Sequence, residues 1–195
     1  MKIKKIILAS RSPRRSQLLQ WAGIPFEVIV AETDESYPLR LTPAEIAIHI
    51  AYNKAIVVKN KIASSTPGDN GCTILAADTI VVLQNKIIGK PSGRQEAIET
   101  LSNLSGKMHS VITGVCIFSG GKEIIFADET QVEFHPLSQL QIEYYVDNYK
   151  PYDKAGAYAI QEWIGVTGIR KINGDYYNVM GLPVSRVLKE LGSLG

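Results

Sequence analysis

The chain alternates between compact apolar runs and stretches in which apolar residues return every three or four positions. Lys5 to Ala9 (KIILA) is a short apolar run and predicts a buried strand. Ser12 and Pro13 then read as N-cap and first helical residue, since proline's fixed φ suits that position. The helix runs through Leu18, Leu19 and Ala22 and stops at Gly23, with Pro25 beyond it. Phe26 to Ala31 (FEVIVA) is strand-like, and Glu32 to Arg40 is an acidic loop. Thr42-Pro43-Ala44-Glu45 is a capping-box pattern. It opens a long helix to about Ala63, with Ile46, Ile50 and Val57 on one face.

Ser64 to Gly71 is a turn-rich connector. Cys72 to Leu83 predicts a central strand, and Gln84-Asn85 a tight turn into Lys86 to Gly89. Ser92 to Gln95 caps a helix that ends near Ser105-Gly106. Ser110 to Phe118 and Lys122 to Phe134 form the clearest hairpin, joined by Ser119-Gly120-Gly121. Ser138 to Gln141 caps a helix through Tyr149, stopped by Pro151. Gly156 to Gln161 reads as a strand, Gly165 to Leu182 as glycine-rich and irregular, and Pro183 to Leu191 as a last helix closed by Gly192. Strands and helices mix without strict alternation. An α/β or α+β sheet with one long antiparallel pair follows.

Composition narrows the function classes. With 195 residues, one domain with two lobes is the natural organisation. The net charge is +2, so nothing global calls for nucleic acid or an anionic membrane, and an anion site must come from local clustering. The apolar run Ile6 to Ala9 is far shorter than the roughly 7–15 residues of a signal-peptide core. No run approaches the roughly 18 apolar residues of a membrane span. Cys72 and Cys116 follow no zinc or redox spacing, which fits buried free thiols in a reducing compartment. A soluble cytoplasmic protein is expected. His49, His109 and His135 show no metal spacing and read as packing or surface residues.

Five features carry candidate chemistry. Arg14 and Arg15 sit where a helix start prefers acids, at a cost of roughly 0.3–1 kcal/mol each. They fit either an anion grip, with free backbone N–H groups beside them, or two solvated arginines. Asp78 interrupts an apolar strand, which is expensive unless the carboxylate is paired, metal-bound or turned outward. Lys54 continues the Ile46–Ile50 line, either snorkelling at its edge or turned toward an interior cleft. Glu32, Asp34 and Glu35 form a solvated acidic loop, or lend oxygen ligands to Mg²⁺ or Mn²⁺ together with substrate phosphates. Tyr152 to Gln161 and Asn173 to Pro183 suit a loop that reads the edges of a ring, and equally suit plain turn chemistry. A metal–polyphosphate ligand satisfies the cations, the carboxylates and the helix start together.

These residues fall in a familiar order. LASRSPRRSQLL, Asp34-Glu35, Asn53-Lys54-Ala55, AADTIV at Ala76 to Val81, GKP at Gly89 to Pro91, TGV at Thr113 to Val115, DKAGAYAIQ and INGDYYNVMGLP together resemble the Maf family of nucleoside triphosphate pyrophosphatases, nearly end to end. The resemblance implies a mixed, twisted α/β sheet with flanking helices in two lobes around a central cleft, similar to the inosine triphosphate pyrophosphatases. It implies metal-dependent hydrolysis of a nucleoside triphosphate to the monophosphate and pyrophosphate, a house-cleaning of nucleotide pools, with Mg²⁺ or Mn²⁺. Asp78 falls on the family's proton acceptor. Arg14, Arg15, Lys54 and Lys90 fall on its phosphate-facing basic positions, Ser10 on a substrate-binding position, and Glu35 on its acidic, metal-partner position. Asp78 is either base or metal ligand.

The forms DKAGAYAIQ and GDYYNVMGLP resemble the branch that prefers dTTP and UTP. That branch assigns base selection to the positions of Arg14, Thr79 and Gln161, and modified pyrimidine triphosphates remain within its range. Arg11 and Ala159 depart from the residues frequent there, which touches substrate tuning rather than catalysis. The family suggests a homodimer, and the near-neutral charge and short apolar runs suggest no nucleic acid and no membrane as partners. Its name comes from septum formation, so a nucleotide-binding regulator of cell division with weak hydrolysis is the rival class. A sugar nucleotidyltransferase is disfavoured, because Ser10, Ser12 and Pro13 stand where a glycine-rich loop is needed.

Overall fold

The computed structural model describes residues 5–65 and 72–194. The predicted connector Ser64 to Gly71 falls mostly outside them. Seven strands pair into one mixed sheet: β1 (Ile6–Leu8), β2 (Phe26–Val28), β3 (Thr73–Leu83), β4 (Lys86–Ile88), β5 (Met108–Ser119), β6 (Lys122–Phe134) and β7 (Ile169–Asn173). Their order is β2-β1-β3-β5-β6-β7, with β4 also on β3. β1 runs parallel to β2 and β3, whereas β4 and β7 are antiparallel to β3 and β6. Among the described residues the α-helices are α1 (Pro13–Trp21), α2 (Pro43–Ser65), α3 (Arg94–Leu104), α4 (Gln139–Tyr149), α5 (Trp163–Gly168), α6 (Tyr176–Met180) and α7 (Val184–Gly192).

The local signals act as their chemistry dictates. Gly23, at φ +65°, closes α1: its N–H reaches Gln20 and the Ile24 N–H reaches Leu19. Thr42 and Glu45 exchange hydrogen bonds at the start of α2, as Ser138 and Gln141 do at α4. Gln84 and Asn85 both take positive φ, the conformation a two-residue hairpin turn between Leu83 and Lys86 requires.

The chain divides into two compact units. One contains Met1–Asp78, Thr113–Asp128 and Gly181–Gly195; the other contains Thr79–Ile112 and Glu129–Met180. In the first, Ala51, Ala55 and Val58 of α2 pack on Ala9, Ile74, Ala76, Cys116 and Phe118. In the second, Val81, Val111 and Val132 form a buried cluster.

Some expectations need correction. The strands at Lys5 to Ala9 and Phe26 to Ala31 shorten to Ile6–Leu8 and Phe26–Val28, while β5 starts two residues early, at Met108. Gly156 to Gln161 is not a strand. Gly156 and Ala157 both have positive φ, so the chain coils through a 3₁₀ turn at Ala155–Ala157. Gly165 to Leu182 is not irregular but carries α5, β7 and α6. Cys116 is buried as expected, whereas Cys72 is only half-buried.

Candidate functional site

Two periodicities bring Lys54 and Asp78 together. Ile74, Ala76 and Asp78 are two apart on β3 and share one face. Ala51, Lys54, Ala55 and Val58 lie at helical spacing on α2 and form one stripe. Ile74 and Ala76 pack against Ala51, Ala55 and Val58, and beside this interface the Lys54 Nζ reaches Asp78 Oδ1. Small residues let the helix come close. At Gly114 on β5 there is no room for a side chain, because the backbone of Ala47 and Ile48 occupies that space.

Lys54 joins two carboxylates. Its Nζ donates to Asp78 Oδ1 at 2.7 Å and lies 2.7 Å from Glu35 Oε1. The Lys54 and Asp78 side chains are 17% and 15% exposed, and Glu35 is 51% exposed. The pair is therefore shielded, while Glu35 closes over it from a loop. That loop is shaped by Asp34, whose two oxygens accept from the Ser36 backbone N–H and hydroxyl. These bonds hold the Asp34 carboxyl below its ordinary range. Asp34 thus folds the loop, and Glu35 is the acid presented to Lys54.

The arginines at the start of α1 divide by helical phase. Arg15 shares its face with Leu18 and Leu19 and is buried with them. Its Nε donates to the Gly181 carbonyl at 2.7 Å and its Nη1 to Ser10 Oγ at 3.0 Å. Ser10 Oγ also accepts the Ser12 backbone N–H. Arg15 therefore ties the loop before α1 to the segment before α7. Burial lowers its pKa, and the neighbouring Arg14 lowers it further, while the charges of Asp78 and Glu35 offset part of this. Arg14 is half-buried, on a helix start where Ser12 provides no side-chain cap. Arg14, Arg15 and Lys54 with Glu35 and Asp78 form one electrostatic cluster within the first unit.

The remaining sequence candidates belong to the second unit. Thr79 follows Asp78 on β3 and is half-buried; Lys90 is exposed after β4. Gln161 lies in the turn before α5, and its side-chain Oε1 is buried without a hydrogen-bond partner. The structure thus gathers Ser10, Arg14, Arg15, Glu35, Lys54 and Asp78 in the first unit and places Thr79, Lys90 and Gln161 in the second. Sequence reading missed the Gly181 carbonyl. The backbone is invisible to motif logic.

Glu35 and Asp78 are two hard oxygen donors that meet at one point, now neutralised by an ammonium. That donor set fits a small divalent cation that takes its other ligands from phosphate and water. Among the described residues no three His, Cys, Asp or Glu side chains gather as a metal cluster.

The fold is a mixed-sheet α/β fold, with three cations and two carboxylates gathered near the start of α1. Residues 5–194 match the family model described as Maf-like protein, and the chain belongs to that family. It is 51% identical to the dTTP/UTP pyrophosphatase of Cytophaga hutchinsonii over 186 residues, covering 95% of this chain and 82% of the relative. It is 46% identical to the dTTP/UTP pyrophosphatase of Bacteroides thetaiotaomicron, covering 97% and 96%. Among solved structures, the Staphylococcus aureus Ham1 protein aligns at TM-score 0.42 with 14% identity over 67% of this chain and 72% of that one, too slight a likeness to build on.

Proposed function

We propose that the protein hydrolyses dTTP and UTP to the nucleoside monophosphate and pyrophosphate, removing pyrimidine triphosphates from the nucleotide pool. Family membership and relatives at 46–51% identity over nearly the whole chain support the reading. The observation that carries it is the Glu35–Lys54–Asp78 bridge beside the arginines of α1. A cation held between two carboxylates is a charge arrangement that a metal–triphosphate can enter without leaving an ion unpaired.

Glu35 and Asp78 are the residues that would hold Mg²⁺ or Mn²⁺, which would supply positive charge against the triphosphate and a more acidic water. Asp78 accepts the proton of the water that attacks the α-phosphorus. Lys54 holds Asp78 Oδ1 and so fixes the direction of that carboxylate. Lys54 and Arg14 stabilise the negative charge that grows on the pyrophosphate leaving group, and Lys90 falls on a further phosphate-facing position of the family. Arg15 and Ser10 hold together the loop before α1 and the start of that helix, which carries Arg14. Arg14, Thr79 and Gln161 fall on the positions to which the resemblance assigns base selection. The Gln161 Oε1, buried and unpartnered, supports this, because such an oxygen gains most from a ligand N–H.

The test is purified protein with dTTP, UTP, CTP and the purine triphosphates in Mg²⁺. Equal release of pyrophosphate and monophosphate from dTTP and UTP is the expected result. Release of orthophosphate, or no turnover of either pyrimidine, overturns the reading.

A further inference from the structure

Gln161 is the third residue of a turn that runs from Ala159 to Glu162, closed by the Glu162 N–H on the Ala159 carbonyl at 3.1 Å. A single hydroxyl, that of Tyr145 on α4, holds both ends. It accepts the Ala159 backbone N–H at 3.1 Å and donates to Glu162 Oε2. Tyr145 is fully buried. The other Glu162 oxygen, Oε1, lies 3.5 Å from the Nζ of Lys154, a buried lysine that also bonds Asp153 at 2.8 Å. Beyond the turn, Gly165 leaves no space for a Cβ, because the Ile160 carbonyl fills it. The turn is thus held at both ends, while the side-chain carbonyl oxygen of Gln161 is buried without a hydrogen-bond partner.

We infer that Tyr145, acting through Glu162 and Ala159 and backed by Lys154, is the positioning residue that aims the Gln161 carbonyl at the ring N–H of uracil and thymine. The inference rests on the functional reading above. Uracil and thymine present an N3–H donor, whereas cytosine presents an acceptor at N3. A fixed acceptor discriminates between them, because the wrong base leaves the buried oxygen unpaired. A mobile acceptor turns aside and loses that discrimination. An ion-paired network around one hydroxyl is more than a turn needs for stability, since the 159–162 hydrogen bond already closes it.

Tyr145→Phe keeps the ring and removes only the hydroxyl. The experiment measures kcat and KM for UTP and CTP in wild-type protein, Tyr145→Phe, Glu162→Gln and Glu162→Ala, with a thermal melt of each. The expected result is a fall of at least tenfold in the UTP-to-CTP ratio of kcat/KM for Tyr145→Phe and Glu162→Ala. The loss appears mainly as a raised KM for UTP. Glu162→Gln still accepts from Tyr145 and retains the ratio to within about threefold. A Tyr145→Phe or Glu162→Ala protein with lowered Tm but wild-type base ratio overturns the inference and leaves a structural clamp. If Tyr145→Phe does not fold, the two Glu162 variants decide alone by the same criterion. A wild-type protein that turns over UTP and CTP equally overturns the base-selection reading itself, and this inference with it.

Discussion

Gly114 on β5 and Ala47 on α2 meet backbone to backbone: a Cβ on Gly114 would lie 2.2 Å from the Ala47 carbonyl carbon and 2.3 Å from the Ile48 nitrogen. Neither atom belongs to a side chain that can swing away. Gly114→Ala must therefore push α2 off the sheet, and Lys54 sits two turns further along that helix. We expect a destabilisation of about 3 kcal/mol or more, at the upper end for overpacked sites. Urea melts measure it. Turnover of dTTP should fall even where the variant still folds, because the Lys54–Asp78 contact opens.

The two sides of the central ion pair should respond differently. Lys54→Met leaves Asp78 and Glu35 facing each other without their shared cation, in a site where both Lys54 and Asp78 are shielded. A loss of about 3 kcal/mol is expected, near the lower bound for breaking a buried pair. Asp78→Asn removes one charge and keeps an oxygen for Lys54, so its Tm should stay close to wild type. Its kcat should drop by about 10²–10⁴, the usual contribution of a general base. Near-normal turnover of dTTP by Asp78→Asn with Mg²⁺ present would remove Asp78 from both roles, base and metal ligand.

What the sequence made legible follows from range. Asp78 and Lys54 were readable because each sits on a short-period pattern, alternation on β3 and three-to-four spacing on α2. The same logic, pressed further, separates the arginines: Arg15, Leu18 and Leu19 are at helical spacing, so Arg15 faces inward. The misreading at Gly156 to Gln161 has the opposite cause. AYAI alternates like a strand, but positive φ at Gly156 and Ala157 and a hydroxyl fourteen residues upstream set its course. α5 and α6, of six and five residues, are too short to show a period, and tertiary packing holds them. Nothing local announces that Asp34 shapes its loop while Glu35 reaches Lys54.

Stability should also depend on acid through His109. It is buried between Phe134 and Tyr158, with its Nε2 2.8 Å from the Tyr158 hydroxyl. Burial lowers its pKa from 6.5 to about 4, opposed weakly by the Lys107 backbone. The unfolded chain therefore binds a proton that the folded chain refuses between those values. The stability from neutral His109 is fully present above pH 6.5 and declines as pH falls toward 4. The shift corresponds to about 3 kcal/mol. Urea melts from pH 7 to pH 4 should show this slope, and His109→Phe, which keeps a ring between Phe134 and Tyr158, should flatten it. An unchanged slope in that variant would assign the acid sensitivity to other groups.

Arg14 and Arg15, adjacent in sequence, should separate in a ligand-binding melt. Arg15 holds Ser10 and Gly181 from a buried position, so Arg15→Ala removes two buried hydrogen bonds and should lower the apo Tm, with a loss of about 2–3 kcal/mol of stability. Arg14 is half-buried on the helix start, where a cation is mildly unfavourable until an anion arrives. Arg14→Ala should lower the apo Tm less than Arg15→Ala does, since Arg14 is only half-buried. A triphosphate at about one hundred times its Kd stabilises the wild type by about 2.7 kcal/mol. In Arg14→Ala that rise should shrink by more than half at the same ligand concentration, through weakened binding. In Arg15→Ala the rise should shrink as well, but from a lowered baseline. If Arg14→Ala keeps the full ligand-induced rise, the start of α1 does not grip phosphate, and its arginines serve the fold alone.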